Sequence, residues 1–170
     1  MSFEYRRAKN ARVSTPREWK EKIAGPPKII AINDDDYHAE HVGRTSNGYQ
    51  FFLTAPFEPA IGGNEGSEYV ALFLFDLKGN LVDSKIDDFG PRAKLDEDKR
   101  RDLYIQRLEE LGEVSFERIE VKPFSIDKFG KPFGLIVREP EDEDDVWAVE
   151  LLPGNYMAFF EPWDSGEYDT

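Results

Sequence analysis

Along most of this chain the apolar residues either alternate with polar ones or fall in short runs, and one stretch repeats them at helical spacing. Between Lys28 and Asn33 the β-branched Ile29, Ile30 and Ile32 predict a first strand. From His41 to Thr54 the sequence HVGRTSNGYQFFLT centres on Asn47-Gly48, a dipeptide that tolerates the positive φ values of a tight two-residue turn, and a β-hairpin is expected. That turn sets Val42 opposite Leu53 and Arg44 opposite Phe51, so Val42, Arg44, Tyr49, Phe51 and Leu53 would share a face while Phe52 points the other way. Tyr69 to Phe75 is apolar at every position, the mark of a strand buried on both sides. A turn at 76–80, with Gly79 in the left-handed position, leads into Leu81 to Asp87, which alternates and is expected to be more exposed. Further strands are expected at 114–121, 133–137, 146–151 and 156–160, with Pro153-Gly154 turning between the last two.

The helical spacing lies in residues 95 to 111, with Asp96 as N-cap, acids in the first turn, Tyr104, Leu108 and Leu111 on one stripe, and Gly112 as the stop. Thr15, Pro16 and Glu18 have capping-box spacing for a short N-terminal helix that Gly25-Pro26-Pro27 would end. Strands outnumber helices and are joined as hairpins. The expected fold class is therefore α+β: a mainly antiparallel β-sheet with one long helix packed on a face and a short N-terminal helix.

Charge divides the chain. Residues 1–28 carry eight Lys/Arg against three Asp/Glu, a basic arm at +5, while the overall charge is −13, which leaves −18 for residues 29–170, read as a single acidic α+β domain. The arm is expected to lie against its own acidic body, or else to reach a second subunit. An excess of carboxylates repels phosphate backbones, so the expected partner is a basic protein, not nucleic acid. There is no cysteine, which removes disulfides and thiolate chemistry and fits a cytoplasmic protein. The N-terminal sequence lacks the apolar core of a secretory signal, and no run approaches the ~18 apolar residues of a membrane helix, so no membrane association is expected.

The candidate chemistry is sparse. His38 and His41 sit in the polar string DDDYHAEH. On a helix, Asp34, His38 and His41 would fall on one face and could ligate a metal; on a strand leading into the hairpin the two imidazoles diverge, and this is the expected case. The loop Ile61 to Ser67 is glycine-rich, but an acid stands where a phosphate cradle needs a lysine, and a strand follows where a helix is needed. No nucleophile elbow, kinase set, zinc-protease helix or dinucleotide fingerprint is present, and no cofactor is expected.

These observations favour a non-catalytic acidic protein-binding module, such as an immunity or inhibitor protein for a basic toxin or nuclease. Asp142, Glu143, Asp144 and Asp145 would steer the partner, with Trp163 and Tyr168 as aromatic anchors. The alternatives are a small metal-dependent enzyme or binding protein built on His38, His41 and nearby carboxylates, and a self-assembling structural protein.

Overall fold

A computed structural model describes residues 25–36, 39–154, 156–164 and 166–167. The short helix expected near Thr15 and the arm up to residue 24 lie outside these residues. The strands are β1 (Ile30–Ile32), β2 (His41–Thr45), β3 (Gln50–Thr54), β4 (Phe57–Glu58), β5 (Ser67–Phe75) and β6 (Leu81–Asp88), followed by β7 (Val114–Phe116), β8 (Ile119–Val121), β9 (Phe124–Lys128), β10 (Lys131–Arg138), β11 (Ala148–Leu152), β12 (Ala158–Phe159) and β13 (Gly166–Glu167). One α-helix, α1 (Glu97–Glu110), falls between β6 and β7. Asp96 caps it, accepting the Lys99 N–H at 3.1 Å, and Glu97 and Asp98 face the positive end of its dipole. Among the described residues no helix is long and apolar enough to cross a membrane.

All strand pairs among the described residues are antiparallel. A six-stranded sheet runs β7-β2-β3-β5-β6, and β4 resumes the pairing of β3 with β5 in unbroken register beyond Pro56, with Thr54 opposite Ala71 and Phe57 opposite Glu68. A five-stranded sheet runs β9-β10-β11-β12-β13, and β1 pairs with β8 in a third.

The strand β5 lies at the centre because it is apolar on both faces. Tyr69, Ala71, Phe73 and Phe75 join Val42 and Phe52 against Phe133, Leu135, Val149, Leu151 and Phe159 of the second sheet, with Ile30, Ile32, Ile119 and Val121 closing the same core. On the other face Val70 and Leu72 join Phe51 and Leu53 beneath Tyr104 and Leu108 of α1 and Leu111 at its C-terminal cap. Each fully buried aromatic or branched side chain contributes about 2 kcal/mol. The expected helical stripe is therefore the one that packs.

The β2–β3 hairpin corrects the expected register. Thr45 N–H donates to the Tyr49 carbonyl at 2.9 Å, Gly48 N–H donates back to the Thr45 carbonyl at 3.2 Å, and Gly48 has φ 89°. The loop is thus one residue longer than the Asn-Gly dipeptide suggests. The Thr45 hydroxyl holds it so, donating to Asn47 Oδ1 at 2.6 Å and accepting the Tyr49 N–H at 3.1 Å. Every pair slips by one: His41 faces Leu53, Val42 faces Phe52, and Arg44 faces Gln50. A slip of one exchanges the faces, so His41 rather than Val42 shares the helix side with Phe51 and Leu53.

The expected strand at 114–121 divides in two. β7 adds to the large sheet beside β2, whereas β8 pairs with β1. The break falls at Glu117, whose N–H donates to the Val42 carbonyl at 3.2 Å and whose carboxylate pairs with Arg44 at 3.0 Å. The strand β9 has no counterpart in the sequence reading.

Candidate functional site

The residues singled out from the sequence do not converge on one place. Asp34 is exposed, and His38 lies outside the described residues. His41 opens β2 and follows a turn at 39–40, so among the described residues neither the helix that metal ligation required nor the expected strand reaches back beyond His41. Among the described residues no three His, Asp or Glu side chains come together to hold a metal ion. Tyr168 also lies outside the described residues. Trp163 is partly buried against the main core, and its carbonyl accepts the Ala31 N–H at 2.8 Å.

The acidic string divides by role. Asp142, Glu143 and Asp144 are exposed. Asp145 turns inward to Arg138 Nη1 at 2.7 Å, accepts the backbone N–H of Glu141 at 3.0 Å and that of Val146 at 2.8 Å. The Arg138 bond and these amides hold its carboxyl down at about 2. Asp145 is therefore committed to the loop's own structure.

The slipped register gives His41 a setting the sequence reading missed. Its Nδ1 lies 2.5 Å from the Tyr104 hydroxyl, and its ring meets both Tyr104 and Phe116 edge-on, with centroids 5.3 and 5.4 Å away. Phe116 comes from β7, the neighbour of β2, where Gly43 has no room for a side chain: a Cβ there would sit 1.9 Å from the Ser115 carbonyl oxygen. The bare backbone lets Phe116 approach Phe51 across it, centroid to centroid 6.2 Å. Tyr104 reaches the group from α1, and its hydroxyl also lies 3.4 Å from the Leu53 carbonyl. Burial, and then the negative charge of Glu40, push this phenol well above its ordinary range, so it stays protonated and able to donate. The strand pattern and helical stripe were legible in the sequence, but only the true register shows that they meet.

What this group can do chemically is limited. Nδ1 is taken by Tyr104, and no nucleophile or carboxylate is hydrogen-bonded to the ring among the described residues. A groove of about 140 Å³ lies at the other flank of α1, over Leu72, Leu74 and Leu111 with Asp83, Lys85 and Glu110 at its rim. Ligand pockets typically run to roughly 300 Å³ or more. Neither place has the make-up of a catalytic centre.

Charge is distributed with more purpose. Glu68, 3% exposed, holds Arg92 at 2.6 Å and Arg100 at 3.7 Å. Arg107 bridges Asp87 at 3.1 Å and Glu110 at 3.3 Å, and Lys131 pairs with Glu58. Each described arginine is thus paired with a carboxylate, whereas Lys28, Lys78, Lys99, Lys122 and Lys128 have no carboxylate partner among the described residues. Glu40, Asp102, Glu109, Glu113, Asp142, Glu143 and Asp144 are exposed, and among the described residues none is paired with a cation. No family model, curated protein or solved structure matches this chain, so its function has to be argued from these residues.

Proposed function

We propose that this chain is a non-catalytic, acidic protein-binding module whose partner is a basic protein. Its specific form on this reading is a cytoplasmic immunity or inhibitor protein for a basic toxin or nuclease. The observation that carries the reading is the unequal use of charge. Among the described residues the arginines are spent on intramolecular pairs, while Asp142, Glu143 and Asp144, together with Asp102 and Glu109 of α1, are exposed and have no cation partner. Such a surface accelerates encounter with a positive partner and rejects a negative one. A metal-dependent function has less support, because the described residues bring no further ligand to His41.

The test is retention of a host protein on the immobilised chain, followed by association kinetics with that protein at low and at physiological salt. The association rate should fall with salt. Replacing Asp142→Asn, Glu143→Gln and Asp144→Asn together should slow it roughly tenfold at low salt. Asp145 is left alone, since its loss would break the Arg138 bond and the loop contacts along with removing a charge. A retained partner whose association ignores salt, or no retained partner at all, would overturn the proposal.

A further inference from the structure

The helix α1 covers β3 and β5 but not the whole face of the large sheet. Arg100 and Arg107 lean toward β5 and β6, where they hold Glu68 and Asp87. About 60° around the helix from Arg107 comes Tyr104, and about 100° further in the same direction comes Ile105. The flank carrying Ile105 is therefore the one nearer β2 and β7. Ile105 on that flank is 45% exposed, and Phe116, whose ring lies against the half-buried His41, is 48% exposed. The Tyr104 contact and the packing of Phe116 on His41 and Phe51 fix the patch in place, so little side-chain freedom is lost when it is covered.

Around it the unpaired acids recur. Asp102 and Glu109 stand three residues before and four after Ile105, on the same side of α1. Glu40 precedes His41, and Glu113 precedes β7. An apolar centre with a charged rim is the anatomy of a protein interface, and here the rim has a negative surplus, since Arg101 on the same side of α1 is paired with Asp98.

We infer that the His41–Phe116–Ile105 patch is the docking surface for the basic partner, which places an apolar side chain against Phe116 and Ile105 and lysines or arginines against Glu40, Asp102, Glu109 and Glu113. The inference rests on the proposed function and adds the location of the contact and the chemistry of the element that makes it. The acids set the encounter rate, and the aromatic group sets the lifetime.

Two synthetic probes of equal positive charge separate these roles: an amphipathic Lys/Leu helical peptide and a Lys/Ser peptide without apolar side chains. Titrated into the full chain and followed by amide NMR, the Lys/Leu peptide should shift His41, Ile105 and Phe116 and bind about tenfold more tightly than the Lys/Ser peptide. Phe116→Ala and Ile105→Ala should each remove most of that difference and leave Lys/Ser binding unchanged. Val146→Ala, at a residue 51% exposed beside the other acidic loop, should change neither. Far-UV circular dichroism of each variant checks the fold, and Ile105→Ala on the outer helix surface remains decisive if Phe116→Ala loosens the sheet edge.

If salt-dependent binding persists but ignores both patch variants, the location is wrong while the acidic-module reading stands. If neither peptide binds at low salt, that reading fails as well. A chain that is dimeric and becomes monomeric on Phe116→Ala would assign the patch to a second copy. Amides of residues 1–24 that shift on Phe116→Ala without peptide would assign it to the chain's own basic segment. Either result overturns the inference.

Discussion

Tyr104 and Tyr156 are phenols that the fold keeps from ionising. Burial pushes Tyr156 up to about 12, against the opposing effect of its bond to Thr54, and raises Tyr104 further in the same direction with the Glu40 charge adding to it. Both folded values lie above the ordinary value of 10.0, so their contribution to stability is fully present below pH 10 and is lost as pH rises through the folded values. Tyrosinate absorbance should be followed together with far-UV circular dichroism through the alkaline range in this chain of seven tyrosines. The last ones should ionise only as the sheet signal collapses. Tyr104→Phe and Tyr156→Phe should each flatten the alkaline loss; smooth titration of all tyrosines near pH 10 in a folded protein would refute the assignment. In acid the sign reverses. Glu110, held near 2 by Gln106 and Lys85, and Asp145, held near 2 by Arg138, contribute stability above their ordinary values of 4.5 and 3.8 that is lost as pH falls toward 2.

Gln50 shows how elements are joined. At 1% exposure its amide nitrogen donates to the Asp76 carbonyl at 3.0 Å and to the Glu120 carbonyl at 2.9 Å, and its oxygen accepts the Glu120 N–H at 2.9 Å. One side chain thus ties β3 to the β5–β6 turn and to β8. Gln50→Leu keeps the volume but orphans two carbonyls and an amide, and should cost about 2–4 kcal/mol. The urea midpoint should fall with the slope unchanged; a cost below ~1 kcal/mol would mean that water reaches the groups left behind. Such ties explain what the sequence could and could not convey. The β5 strand and α1 were legible because their patterns are local: apolar on both faces in one, a capped stripe in the other. The hairpin register was not, because the Thr45 hydroxyl outweighed the preference of Asn47-Gly48 for a two-residue turn. Nor was the β9–β10 hairpin, whose turn puts Phe129 at φ 54°, a conformation a bulky residue rarely adopts; its ring stacks on Tyr69 with centroids 6.1 Å apart, a tertiary contact with no local signal. The His41–Tyr104 contact was hidden with the register. The exposed acids at 142–144 were legible because charge needs no register to be read.

Over the whole molecule attraction and repulsion compete, and their ranges decide the outcome. The ion pairs lie within 4 Å, but those between exposed groups are each worth only about 0–1 kcal/mol. The surplus of −18 from residue 29 onward acts over a Debye length of about 10 Å at 0.1 M salt, so each unpaired carboxylate is repelled by several others at once. Repulsion should therefore dominate. Adding sodium chloride, which screens without the strong exclusion effects of sulfate, should raise the thermal midpoint by a few degrees, about 1 kcal/mol for a chain of this size. The same surplus speeds approach of a basic partner, so salt should stabilise the chain and slow its association together. Asp142→Asn, Glu143→Gln and Asp144→Asn in one variant should reproduce both effects at low salt: a midpoint equal to or above that of the parent, and slower association. A midpoint that falls on adding salt would show that the ion pairs outweigh the repulsion. A variant that associates as fast as the parent would show that these three acids serve solubility and leave recognition to the acids elsewhere on the surface.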